Sequence, residues 1–197
     1  MMRNYQQQME EVLDGLSSRP RLLLHSCCGP CSSAVIERLS GAFDLTVYYY
    51  NPNIYPESEY RRRADEQARL LEALGVPMVE AEYDPAAFEA IGMGDQPEGG
   101  ARCKACYALR LEQSARYAKE QGFDWFCSTL SVSPHKNAAW LNELGQALAT
   151  QYGLSWLPND FKKKNGFLRS LQLSEEYGLY RQSWCGCRYS WQERKEQ

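Results

Sequence analysis

Hydrophobic positions along the chain follow two periods in alternation. Tyr5, Met9, Val12, Leu13 and Leu16 fall near helical spacing and predict an amphipathic helix over residues 1–18, packed across the outside of a sheet. Leu22-Leu23-Leu24 is instead a continuous apolar run, as expected of a short buried strand. Gly29-Pro30 reads as a tight turn, and residues 33–39 as the helix after it, with Pro30 near the first helical position. Residues 43–50 are β-branched and aromatic, a second strand closed by the turn Asn51-Pro52-Asn53. A long helix is predicted over 57–74, with Tyr60, Ala64, Ala68, Leu71 and Leu74 on its apolar side and Arg61-Arg62-Arg63 as a solvated face.

The alternation continues with a strand at 77–81, a short helix at 85–91, a Gly/Pro-rich loop at 92–100 and a helix opening at Ala101 that carries Leu109, Leu111, Ala115 and Ala118. A strand at 124–130 delivers the polar loop 131–137, and a helix follows over 138–152. From Trp156 the pattern turns irregular, basic and aromatic, with one helix expected near 173–180. Strands alternating with helices imply an α/β fold: an open, mostly parallel sheet with helices on both faces. The expected organisation is one domain over 1–197, its irregular, cysteine-bearing C-terminal segment at 155–197 packed over the site. Ligands of such sheets bind outside the carboxyl ends of the strands, where the loops after Leu24, Tyr50 and Leu130 converge.

Composition sharpens this picture. With 44% hydrophobic and 24% charged residues the 197-residue chain has the make-up of an ordinary globular protein. No apolar run reaches membrane-spanning length, and the polar start lacks the apolar core of a secretory signal, so the expected location is the cytoplasm. A reducing compartment turns the eight cysteines away from structural disulfides and toward metal or redox chemistry. The net charge of −3 argues against a generic polyanion binder, yet residues 155–197 hold eight cations against five carboxylates.

Seven of the eight thiols cluster as Cys27/Cys28/Cys31, Cys103/Cys106 and Cys185/Cys187, each cluster at a loop or helix start. Cys127, inside a strand, reads as a small core residue. At a helix N-terminus free N–H groups and the helix dipole stabilise thiolates, which suits Cys27 and Cys28 to nucleophilic or metal-ligating roles. Two residues between Cys103 and Cys106 let both sulfurs face one ion, a spacing shared by zinc sites, iron–sulfur sites and redox dithiols. Seven thiols exceed the four that one tetrahedral zinc or one cluster consumes. Cys185-Gly186-Cys187 suits either a strained, readily reduced disulfide or two ligands of one metal. No G-x-G-x-x-G follows the first strand, so a nicotinamide or flavin site is unsupported.

Five stretches, 24–32 around Cys27-Cys28-Gly29-Pro30-Cys31, 50–54, 102–106, 128–137 and 180–187, occur in one order over roughly residues 20 to 190 and resemble the QueH family of epoxyqueuosine reductases. The resemblance implies a Rossmann-like, nucleotide alpha hydrolase-like fold and a tRNA-modifying oxidoreductase carrying a 4Fe-4S cluster. Its substrate would be tRNA carrying epoxyqueuosine at the wobble position, reduced to queuosine with electrons from a separate, unidentified donor. By motif match Cys27, Cys28, Cys103 and Cys106 would bind the cluster, and Cys185 and Cys187 would be a catalytic redox pair or ligands of an additional mononuclear iron. Cys31 could join either group. His25, Tyr107, His135 and Lys136 are the proton-donor candidates by type, with His135 and Lys136 favoured by their strand-end loop. Phe161, Lys162, Lys163, Lys164, Phe167, Arg169 and Arg181 mix cations with aromatics and form the expected tRNA patch. The competing readings are a zinc-stabilised, non-enzymatic RNA-binding module and a tRNA sulfur-transfer enzyme; the latter needs a glycine/serine ATP loop where Cys27–Cys31 stands.

Overall fold

The computed structural model describes residues 4–94 and 96–195; Met1 to Arg3 of the expected N-terminal helix, Asp95 of the 92–100 loop and the last two residues of the C-terminal segment lie outside the described residues. Five strands form one sheet: β1 (Arg21–His25), β2 (Asp44–Tyr49), β3 (Met78–Glu80), β4 (Trp125–Ser128) and β5 (Ser155–Trp156). Their order is β3-β2-β1-β4-β5, and all four pairings are parallel. The apolar run takes the centre, with Leu23 beside Thr46 on one side and Phe126 on the other. Leu22, Leu23 and Leu24 are fully buried, as a strand covered on both faces requires.

The helices are α1 (Tyr5–Gly15), α2 (Gly29–Leu39), α3 (Glu57–Leu74), α4 (Pro85–Glu89), α5 (Ala101–Glu120), α6 (Ala138–Tyr152), α7 (Gly166–Glu176) and α8 (Arg188–Lys195). On one face α2 packs against α3 and α7; on the other α5 packs against α6. Local chemistry fixes several ends. The Asn137 side chain caps α6 by accepting from the Trp140 N–H at 3.1 Å, and Gly153 closes it in the left-handed conformation.

Several expectations need correction. Helix α2 starts at Gly29 rather than Ser33, so Pro30 and Cys31 belong to its first turn. On α3, Ala68 is exposed and Gln67 and Leu70 are buried in its place, while Arg63 is buried instead of solvated because Glu59, one turn earlier, pairs with it at 2.7 Å. The C-terminal segment is less irregular than its sequence suggests, for it supplies β5, α7 and α8. Its helix starts seven residues earlier and ends four earlier than expected: Lys164 and Asn165 take positive φ just before Gly166, and Gly178 takes positive φ just beyond the end.

Candidate metal centre

The strand order reverses between β1 and β4, and the loops leaving both strands open into the crevice there. After β1 the chain passes through Ser26 and Cys27 into α2, with Cys28 as its N-cap. A buried network holds this corner. Ser26 Oγ and Ser32 Oγ each donate to Gln67 Oε1 at 2.8 Å, Ser32 Oγ also reaches the Cys28 carbonyl at 3.0 Å, and Asn51 Nδ2 donates to the Ser26 carbonyl at 2.8 Å. The sulfurs of Cys27, Cys28 and Cys31 consequently lie within 4.8 Å of one another, a group able to hold a metal ion. Hydrogen bonds from Cys28 and Cys31, with help from Arg110, hold the Cys27 thiol well below its usual range. The same hydrogen bond pushes Cys28 up to about 12.

The other four clustered thiols meet beside this corner. Cys103 and Cys106, from the first turns of α5, line a small cavity together with Cys185 and Cys187. The sulfurs of Cys185 and Cys187 are 3.4 Å apart, and both thiols are free. The hydrogen bond with Cys187, then the Lys136 ammonium, brings Cys185 down to about 5. Arg63 fixes the backbone here, donating from Nη1 to the Cys185 carbonyl at 3.2 Å with its guanidinium 5.1 Å from the Trp184 ring centre. Gly186, at φ +108°, lies so near Arg63 that a Cβ would stand 2.9 Å from Nη1.

Three cations border the four-thiol cavity: the buried Arg102 and Arg110 and the partly buried Lys136. Arg102 stacks on Tyr189 at 4.3 Å and leaves Nε without a hydrogen-bond partner, while its Nη2 faces the Glu193 carboxylate at 3.7 Å. Burial by itself would lower the Lys136 pKa, but Cys185, Tyr107 and Glu98 raise it above the ordinary lysine value, so Lys136 stays charged. Cations around thiols favour the deprotonated, metal-binding form of the sulfurs. Cys27, Cys31 and Cys185 also face a larger cleft of about 360 Å³, walled by Ser133–Lys136 on one side and Arg181–Trp184 on the other.

The structure sorts the remaining candidates. His25 is fully buried between Ser128 Oγ at 2.8 Å and the Tyr50 carbonyl at 3.1 Å; burial, then Arg110, lowers its pKa to about 3, so it is neutral. Tyr107 lies in the small cavity, His135 in the cleft wall and Lys136 in both. The expected basic patch is dispersed. Phe161 is buried in the core, Lys162 pairs with Asp160, Lys164 with Glu10 and Arg169 with Glu37, while Phe167 and Arg181 line the cleft. Sequence reasoning missed Arg63, Glu98, Arg110 and Trp184. Arg63 and Arg110 carried a readable signal, since they follow Glu59 and Cys106 by one helical turn.

Fold and site together define an α/β protein with a thiol-rich, cation-bounded metal centre at the switch point of a parallel sheet. A family model described as "Epoxyqueuosine reductase QueH" matches residues 22–193, and the chain belongs to that family. Relatives named epoxyqueuosine reductase QueH include proteins from Streptococcus pyogenes serotype M1, 42% identical over 93% of this chain and 75% of the relative, and from Staphylococcus epidermidis, 41% identical over 93% and 83%. Another from Thermotoga maritima is 32% identical over 89% of this chain and 92% of the relative. Among solved structures, the U34-tRNA thiolase NcsA from Methanococcus maripaludis with its [4Fe-4S] cluster matches with a TM-score of 0.58 and 15% identity, covering 94% of this chain and 67% of that one, a likeness of fold. No helix among the described residues is long and apolar enough to cross a membrane.

Proposed function

We propose that this protein reduces epoxyqueuosine at the wobble position of tRNA to queuosine, in the crevice between β1 and β4. Family membership supplies the reaction; the observation that carries the assignment to this site is the meeting of seven thiols from three separate segments beside a cleft of about 360 Å³, a volume suited to a nucleoside. In the reaction both epoxide C–O bonds break, two electrons and two protons are taken up, the oxygen leaves as water and a C=C bond forms.

Cys27 and Cys28 at the start of α2 and Cys103 and Cys106 at the start of α5 are the proposed ligands of a 4Fe-4S cluster, with Cys185 and Cys187 as a redox pair or as ligands of an additional iron. Cys31, close to Cys27 and Cys28, is available to the first group and, through the shared cleft, to the second. The cationic border and the Arg102 Nε, which has no hydrogen-bond partner, fit such a group. Bound there, cluster and iron would supply single electrons at low potential and a Lewis-acidic position. Lys136 bridges cavity and cleft, which makes it the favoured proton donor, with His135 on the same wall. On this reading residues 1–197 work as one Rossmann-like α/β domain, an assignment supported by the strand order and by the bonds from Arg63 to the 155–197 segment. A separate reductant delivers the electrons.

The test is to purify the protein anaerobically and measure iron, sulfide and zinc per chain beside the visible spectrum, then assay epoxyqueuosine-containing tRNA. Brown protein with sulfide and product formation is expected. Cys103→Ser or Cys106→Ser should abolish the cluster absorbance, whereas Cys185→Ser should keep it and lose turnover. Colourless protein that stays zinc-only after anaerobic reconstitution would overturn the proposal in favour of a zinc-stabilised RNA-binding module.

A further inference from the structure

We infer that Arg110 is the fixed counter-charge of the metal–thiolate centre, a positioning residue that favours the centre's electron-rich state without touching substrate. The inference rests on the iron–sulfur reading of the thiols. Arg110 is 3% exposed, and a buried guanidinium without a partner of opposite charge is costly. The other cations of the site each have a carboxylate within reach: Arg63 has Glu59 at 2.7 Å, Arg102 has Glu193 at 3.7 Å and Lys136 has Glu98 at 3.9 Å. Among the described residues no carboxylate forms an ion pair with Arg110. Its short hydrogen bond goes to a neutral group, from Nη2 to Asn51 Oδ1 at 2.6 Å, and its Nε lies 3.4 Å from Nε2 of the neutral His25.

The groups left to balance its charge are sulfurs. Arg110 follows Cys106 by four residues and Cys103 by seven, so all three share one face of α5. It lines both the four-thiol cavity, with Cys103 and Cys106, and the cleft that Cys27 faces. Asn51 ties the guanidinium to the Cys27 corner, because its Nδ2 donates to the Ser26 carbonyl while its Oδ1 accepts from Arg110. A cation held this way sits between the two proposed cluster-binding pairs. It repays its own desolvation only when negative charge is present, and each added electron increases that charge.

Two variants separate charge from shape. Arg110→Gln can keep the hydrogen bond to Asn51 and loses the charge; Arg110→Lys keeps the charge and loses the fork. In a redox titration of the reconstituted protein followed by visible absorption, Arg110→Gln should be at least about tenfold less reduced at a fixed applied potential, a midpoint ~59 mV more negative for one electron. Arg110→Lys should stay near wild type. An unchanged midpoint in Arg110→Gln overturns the inference. Thermal unfolding of metal-free and metal-loaded protein is the second readout, with zinc as the metal if the variant fails to hold a cluster. Arg110→Gln should lower the unfolding temperature more in the loaded than in the metal-free protein; equal losses in both forms would reduce Arg110 to a structural hydrogen-bond donor and overturn the inference. Wild-type protein that carries only zinc and makes no product would instead refute the reductase reading, and the loaded-against-free comparison would still test Arg110.

Discussion

At the scale of single residues, the geometry of the clustered thiols depends on neighbours that carry no thiol themselves. Gly186 separates Cys185 from Cys187 at φ +108°, and its carbonyl accepts from the Tyr55 N–H at 2.8 Å. An alanine there adopts a disfavoured backbone and pushes its Cβ to 2.9 Å from Arg63 Nη1 and 3.1 Å from Ile54 Cγ1. Gly186→Ala should therefore cost about 1–3 kcal/mol by urea unfolding and lower the metal retained after gel filtration. Arg63 answers for the same loop from the other side. Removing its charge leaves Glu59 buried, with the Tyr180 hydroxyl at 3.3 Å as a neutral partner. Arg63→Met should cost about 3–5 kcal/mol, and adding Glu59→Gln to that variant should recover part of the loss. A double variant no more stable than the single one would show that the ion pair is not the source.

At the scale of elements, the loops carry the chemistry and the helix ends aim it. The 155–197 segment was the hardest to read from sequence. Its strand β5 has two residues and depends on pairing with β4 rather than on any periodicity of its own. Contact, not pattern, places it: a Cβ on Gly145 of α6 would stand 2.2 Å from the Trp156 ring. Gly145→Ala should lower stability by about 1–3 kcal/mol, read from the denaturant midpoint. The basic run in this segment is partly matched by carboxylates that composition does not locate. Lys162 and Lys164 spend their charge on Asp160 and Glu10, each at 2.5 Å, whereas Arg181 bonds the Ser170 carbonyl and Ser174 Oγ and keeps its charge at the cleft. Arg181→Glu should weaken tRNA binding by about tenfold or more at fixed salt, and Lys164→Glu by less than about threefold, in a filter-binding assay. The reverse ranking would return the tRNA contact to the lysine run.

At the scale of the whole molecule, the parallel sheet was legible because β1, β2 and β4 are short apolar runs between turn signals, and the thiol clusters were legible because their spacing is local. The buried cations were not, since a charged residue inside a fold is justified only by partners distant in sequence, as Asn51 is from Arg110 and Trp184 from Arg63. The tyrosines make a comparable collective feature. Tyr48, Tyr49 and Tyr60 are all at most 2% exposed, and Tyr48 stacks on Tyr117 with ring centres 4.7 Å apart. Burial raises the pKa of each, and that of Tyr48 reaches about 12. Above pH 10 the unfolded chain releases these phenolic protons while the folded chain keeps them, so the unfolded state binds fewer protons and stability falls as pH rises. Each buried tyrosine contributes about 1.4 kcal/mol per pH unit to that fall until its own folded pKa is passed. Absorbance titration of the folded protein at 295 nm should accordingly show a fraction of the thirteen tyrosines ionising only together with the loss of far-ultraviolet circular dichroism. Tyr48→Phe should shift that alkaline transition to higher pH. A transition unmoved by the substitution would mean that the sheet opens at this site before the rest of the molecule unfolds, and that the stack on Tyr117 does not hold β2 to α5.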